Sequence, residues 1–314
     1  MKNKTNSTEK FKTMIGGQAL IEGIMMRGPE KQSIVVRGPE GLVVKTEELK
    51  LNNKKPLLKL PLIRGVMTFG ASMVNGVKAL LYSAEFYPEE EGEPSKFDQW
   101  LEKKLGSEKL EQAVIYSSAV LGILMSVGLF ILLPTFLTGL ISGLDGNYFL
   151  RNVLEGLVKI FLFIGYLALV SQMKDMKRVF SYHGAEHKTI RCYEAMMPLT
   201  IENVRQQTRK HPRCGTSFLM VVICISILCG AVIRVDNTFA RMGIHLLLLL
   251  PIVGISYEFN RLVGRHDNWL TRLLTAPGQW LQNFTTYEPD DSMIEVAIKA
   301  LEEVISAEEG SDRW

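Results

Sequence analysis

The chain has almost no surplus charge, few cysteines and few histidines, and each shortage narrows the classes of function open to it. Thirty-six Lys and Arg against 33 Asp and Glu leave a formal net charge of +3, too little to argue for any particular partner. Four cysteines, Cys192, Cys214, Cys224 and Cys229, lie in the second half without a small-scaffold spacing, which argues against a disulfide framework. The opening MKNKTNSTEK has a positive start with no adjacent apolar core, so no signal peptide is expected and residues 1–13 read as a polar, disordered tail. There is no nucleotide-binding loop, Ser-His-Asp order or haem motif. The basic middle stretch has few aromatics beyond Tyr182 and Tyr193, so nucleic-acid binding finds no support.

What the chain does have is long runs without charge. Residues 112–144 carry none, more than the roughly 20 residues that one bilayer span needs. Pro134 is expected to end or kink that helix. Residues 215–233 form a second clean run, and residues 242–257 a shorter one containing His245 and Pro251. The weakest is 148–172, where Arg151, Glu155 and Lys159 recur every fourth residue as a polar stripe that can pair internally. Taken together they predict about four transmembrane helices in residues 112–260.

Orientation follows from basic residues in short loops. Residues 174–214 hold five more basic than acidic side chains, so this loop and both termini are expected to face the cytoplasm.

Outside the apolar runs, SIVVRGPEGLVVKTEEL reads as strand, turn, strand. The tetrapeptide RGPE recurs at Arg27 and Arg37, which suggests successive turns of one small meander, with GGQALIEGIMMRG able to add a strand. Residues 14–60 are therefore read as a small cytoplasmic β-rich unit, and 61–111 as amphipathic or interfacial helix followed by the acidic linker PEEEGEP. Residues 261–314 read as an interfacial helix pair broken at Pro277-Gly278, then a soluble amphipathic helix capped by Ser292 and Glu295. The fold class is a mainly α membrane protein with a β-rich N-terminal unit.

The reactive-looking stretch is SYHGAEHKTIRCYEA. On a helix His183 and His187 lie one turn apart on one face, with Glu186 displaced to the same side. This is the H-x-x-E-H order, in which two imidazoles hold zinc and the glutamate acts as base. A third ligand is required. Glu194 returns to the histidine face after three turns, whereas Cys192 falls on the opposite one. A second cluster, HPRCGTSF, separates His211 and Cys214 by two residues, a spacing that suits chelation. Three of the five histidines lie in this one loop. The alternative is that all of these are ordinary polar residues, with Gly184 weakening the helix. His245 reads as a hydrogen-bonded helix contact and His266 as a surface residue.

GGQALIEGIMMRG, YHGAEHKTIRCYE with HPRCGTSF, and TAPGQWLQNFTTYEPDDSMIEVAIKAL together resemble the YqhQ-like bacterial membrane proteins, a domain-of-unknown-function family described as predicted metal-dependent enzymes. The resemblance runs from about Met14 to Leu301 and implies that His183, Glu186, His187, His211 and Cys214 form one site.

The leading expectation is a zinc-type, divalent-metal-dependent hydrolase at the cytoplasmic surface of a bacterial plasma membrane. His183 and His187 would be ligands, His211, Cys214 or Glu194 would complete the set, and Glu186 would be the base. Its partners would be the lipid bilayer and an anionic lipid or phosphorylated substrate, drawn by Lys188, Arg191, Arg205, Arg209 and Arg213; a peptide bond near the membrane and a homo-oligomer stay open. The alternative is a membrane scaffold or assembly factor with a structural metal. A transporter has least support, since Glu155 is the only acid at mid-span and no repeated halves are evident.

Overall fold

A computed structural model describes residues 11–49, 60–87, 107–141, 143, 146–266, 268–306, 308 and 310–313. The acidic linker PEEEGEP lies outside them. The described residues fall into two compact units, divided within helices: one takes the chain up to Tyr87, Tyr166–Ile225 and the chain from Leu250, the other the chain from Pro88 to Gly165 and Ser226–Leu249.

In the first unit β1 (Gly16–Leu20), β2 (Gly23–Arg27), β3 (Lys31–Gly38) and β4 (Gly41–Glu48) form an antiparallel meander in sequence order. Both RGPE segments are its turns, and GGQALIEGIMMRG supplies β1 and β2. Strand alternation sorts side chains onto two faces. Ile24, Met26 and Val35 pack on α4 (Lys174–Glu194) and α9 (Asp291–Glu302), while Leu20, Met25, Ile34 and Val36 pack on Ala79, Tyr82 and Phe86 at the end of α1 (Pro61–Ala84). The sheet is thus fixed against the helix that carries HGAEH. Residues 11–13, expected to belong to a disordered tail, are held: the Thr13 N–H donates to Glu194 Oε1 at 3.0 Å and the Met14 N–H to the Asp312 carbonyl at 2.6 Å.

Helix α4 ends in a Schellman arrangement, with the Met196 N–H on Tyr193 O and the Met197 N–H on Cys192 O. Met196 occupies the left-handed position, φ +54, which costs a side-chain-bearing residue about 1–2 kcal/mol relative to the right-handed region. Met196→Gly is therefore expected to raise stability by about 1 kcal/mol. Denaturant unfolding checks this, and an unchanged or lowered midpoint contradicts it.

After α5 (Ile201–Arg205) and α6 (Gly215–Ala231) come α7 (Thr238–Arg265) and α8 (Trp269–Thr285). Helix α8 runs unbroken through Pro277, correcting the expected helix pair. Gly278 gives it close contact with Ser217, where an added Cβ would come within 2.7 Å. Helix α9 is capped by Asp290, whose carboxylate accepts from the Met293 N–H at 3.0 Å; Ser292 instead donates to Asp290, and Glu295 pairs with Arg37. The expected Ser292/Glu295 capping box is thus displaced by a stronger cap two residues earlier.

The second unit takes α2, which runs Ser107–Val127, a π-helical turn Gly128–Leu132, then Leu133–Gly139, together with the first part of α3 (Tyr148–Val170) and the adjoining ends of α6 and α7. The π turn lies just before Pro134, which lacks an N–H, and lets the helix continue past it. Among the described residues, three helical stretches are long and apolar enough to cross a bilayer: Ser117–Gly139, Tyr148–Val170 and Thr238–Arg265. Helix α6, the cleanest run in the sequence, is only 17 residues long and falls short of that length.

Candidate metal centre

Helix α4 places His183 and His187 on one face, with ring centroids 4.4 Å apart. The turn before α6 then brings Cys214 to them, its Sγ 3.2 Å from His183 Nε2. One donor atom from each of His183, His187 and Cys214 lies within 4.8 Å of the others. Among the described residues this is the only such group of three.

Backbone carbonyls set both imidazoles. His183 Nδ1 meets Thr285 O at 2.8 Å, and His187 Nδ1 meets Arg209 O at 2.6 Å. A carbonyl can only accept, so Nδ1 of each ring carries a proton and Nε2 is the atom left to bind a metal once its own proton is gone. That is the arrangement in which metal-binding histidines are usually held.

The Thr285 carbonyl reaches His183 because the segment after α8 lies along α4, where the Tyr287 N–H donates to Phe180 O at 2.9 Å. Gly184 makes room for it: a Cβ there would fall on the Tyr287 carbonyl oxygen. The glycine that weakens HGAEH as a helix is thus required by the packing.

Two buried polar atoms beside the three donors have no partner, His187 Nε2 and Glu186 Oε2. Unpaired buried groups of this kind are costly unless something binds them. Glu186 Oε1 accepts from the Gly17 N–H at 3.1 Å, and a Cβ on Gly17 would press to 3.0 Å from the Glu186 carboxyl carbon. Strand β1 therefore positions the glutamate. Two soft-to-intermediate nitrogen donors and one thiolate suit zinc, and the orphaned atoms are consistent with that fit.

His211 and Glu194 stand apart from this group of donors. His211 Nε2 meets Glu194 Oε2 at 3.3 Å, and Glu194 Oε1 takes the Arg213 guanidinium and the Thr13 N–H. The His211 ring lies 5.6 Å from that of His187. Gln282 of α8 clamps the His211 backbone at both ends, at 2.8 and 2.7 Å. Glu194, His211 and Arg213 together brace the loop that delivers Cys214. Gly17, Thr285 and Gln282 were not singled out from sequence, and Arg209 only as a cation; Gly17, Arg209 and Thr285 act here through backbone atoms, which leave no residue signature.

Burial disfavours charge on both His183 and Cys214, yet each overcomes it in the other. The Cys214 thiolate pushes His183 up to about 9, and His183 and His187 hold Cys214 well below the ordinary thiol value. Burial pushes the Glu186 carboxyl up, opposed by the two histidines. Burial and then Arg213 push His211 down, leaving it a neutral imidazole.

In chelator-treated protein, alkylation of Cys214 is therefore expected to continue well below pH 9.0, the ordinary value. Cys192, pushed up by burial, should stay slow, and added zinc should suppress the Cys214 reaction. A Cys214 profile that titrates at the ordinary value would contradict the thiolate assignment.

The cations expected to draw an anionic substrate are engaged with protein. Lys188 Nζ meets Glu288 at 2.6 Å, Arg205 Nη2 meets Asp291 at 2.5 Å, Arg191 donates to Lys210 O at 2.6 Å and Arg209 to Thr286 O at 2.6 Å. His266 is exposed and hydrogen-bonds within its own helix.

No solved structure matches this chain. It is similar to "Uncharacterized protein YqhQ" of Bacillus subtilis (strain 168), with 35% identity over 314 residues that cover 98% of this chain and 97% of the relative. Residues 60–307 match the family described as protein of unknown function, DUF1385, and with that similarity along nearly the whole of both chains, this chain belongs to the DUF1385 family.

Proposed function

We propose that this protein is a metal-dependent hydrolase of a bacterial plasma membrane, with its site on the cytoplasmic side. The observation that carries the reading is the convergence of His183 Nε2, His187 Nε2 and Cys214 Sγ, with both Nδ1 atoms tied to carbonyls. Three protein donors leave a position for a substrate or water, as catalytic zinc sites do. A zinc-type ion held by these three would supply Lewis acidity and an acidified water. Glu186 takes a proton from the attacking water at Oε2 and returns it to the leaving group, while the Gly17 N–H steadies Oε1. On this reading the apolar helices embed the chain in the bilayer, with α6 as a short fourth span, and the substrates are phospholipid headgroups or other phosphorylated lipids.

The test is hydrolysis of phospholipids by the full chain reconstituted in bilayers. Glu186→Gln should retain metal and fold yet lose roughly 10²–10⁴-fold in rate. A second reading, a scaffold whose metal is structural, draws on the way the site ties α4 to the Arg209–Cys214 turn and to Thr285. On that reading no hydrolysis is seen and Glu186→Gln changes nothing.

A further inference from the structure

The second unit holds a separate cluster that the proposed chemistry does not use. Helices α3 and α7 open with the same pattern, Asn147-Tyr-Phe-Leu-Arg151 and Asn237-Thr-Phe-Ala-Arg241. In each, the asparagine caps the helix: its side chain accepts from the N–H three residues on, at 3.1 and 2.9 Å, and its carbonyl from the arginine N–H, at 3.1 and 3.0 Å. In each, the phenylalanine is exposed and the arginine buried, Arg151 2% and Arg241 0% exposed.

Around these arginines the charges do not balance. Glu155 is the one buried carboxylate described in this unit. It meets Lys159 at 2.9 Å, Arg241 at 3.0 Å, His245 at 2.8 Å and the Thr135 hydroxyl at 3.0 Å. Arg241 also reaches Asn152 Oδ1 and Ile233 O. Arg151 has only the Asp236 carbonyl at 3.0 Å and the Thr238 hydroxyl at 3.1 Å, and its buried Nε has no acceptor. Three basic side chains, Arg151, Lys159 and Arg241, are thus buried with one acid among the described residues of this unit. Among the described residues the exposed Asp236, which accepts from Tyr148 at 2.9 Å, is the other carboxylate beside them.

Two helix N-termini add partial positive charge at the place where both arginines sit. A purely structural ion-pair lock would cancel charge here, whereas among the described residues only the exposed Asp236 offsets the surplus. Uncompensated charge among apolar helices is costly and marks a functional site.

A cleft of about 500 Å³ adjoins this end, lined by Gly146, Asn147, Tyr148, Phe149, Ala231 and Arg234. One wall bonds directly to the cluster, the Ala231 carbonyl accepting from Asn152 Nδ2 at 3.0 Å, and Asn147 opens the helical turn that carries Arg151. We propose that this cleft binds a phosphate-type oxyanion, with Arg234 contacting it and Arg151 supplying buried counter-charge. An anion there offsets the surplus and meets the helix N-termini in their favoured polarity. Guanidinium groups are matched to phosphate by their fork of donors. The site is independent of the metal centre.

The test uses the detergent-purified, lipid-depleted full chain, with inorganic phosphate as one probe and phosphatidic acid in mixed micelles as the other. Wild type should gain thermal stability saturably with one of them and not with chloride at equal ionic strength. A response to inorganic phosphate identifies a free anion, and a response to phosphatidic acid alone identifies a lipid headgroup. Arg234→Gln, at an exposed position, should weaken the response roughly tenfold, and Arg151→Gln should abolish it. The proposal is overturned if neither probe stabilises wild type, or if Arg234→Gln responds as wild type does.

Discussion

Gly184→Ala is expected to destabilise the protein and to loosen His183, although helix propensity alone points the other way. Alanine in place of a mid-helix glycine ordinarily gains about 1 kcal/mol. Here the new Cβ falls on the Tyr287 carbonyl oxygen, a backbone atom that cannot swing aside. Either α4 or the segment from Thr285 to Pro289 must move, and overpacking of this kind costs about 1–3 kcal/mol or more. The net effect is a loss, so its sign decides between the two arguments. Displacing the segment also withdraws the Thr285 carbonyl from His183 Nδ1. Loss of such an outer partner typically lowers metal affinity 10–100-fold. Unfolding curves and zinc titration of the same variant check both parts; a stabilised variant with unchanged affinity would contradict the packing argument.

Glu194→Ala is expected to cost more. Glu194 is fully buried and holds three partners, Arg213, His211 and the Thr13 N–H. Removing it strands Arg213, whose side chain is 12% exposed, and breaking a buried pair from one side costs about 3–5 kcal/mol. The damage should be read at Cys214 as well, because Arg213 precedes it and His211 fixes the same turn. Weakened zinc affinity alongside the lost stability is the expected pattern. Burial pushes the Glu194 carboxyl up, with Arg213 offsetting part of that. For an acid with a raised folded value, the contribution to stability is present at low pH and is lost as pH rises through that value. The gap between wild type and Glu194→Gln should therefore change across the acidic range; a pH-independent gap would assign the role of Glu194 to packing alone.

Much of this site was legible where chemistry and helical spacing coincide. His183 and His187 are one turn apart, so one helix suffices to pair them, and Glu186 follows. Cys214 was legible as one of three residues that could complete the His183/His187 set, but the choice of Cys214 over His211 and Glu194 was not, because the H-x-x-C spacing suggested that His211 and Cys214 act together. In the fold that turn sends His211 to Glu194 and Cys214 to His183. The direction of a turn depends on what receives each side chain, here a buried carboxylate 17 residues away for His211 and the His183 imidazole for Cys214.

The meander was readable from its repeated RGPE turns. The continuity of α8 through Pro277 and the π turn before Pro134 were not, since a proline inside an apolar run reads from sequence as a break. The contacts of Thr285 and Arg209 are made by backbone carbonyls, which every residue has, so composition could not mark them.

The most direct measurement is the metal content of the purified full chain, by elemental analysis, for wild type beside His183→Ala/His187→Ala, Cys214→Ser and Glu186→Gln. The expected result is about one zinc-type ion per chain in wild type and in Glu186→Gln, with the ion lost in the double variant and greatly reduced in Cys214→Ser. A folded wild type, purified without chelators, that carries no metal and takes up no zinc would contradict the account.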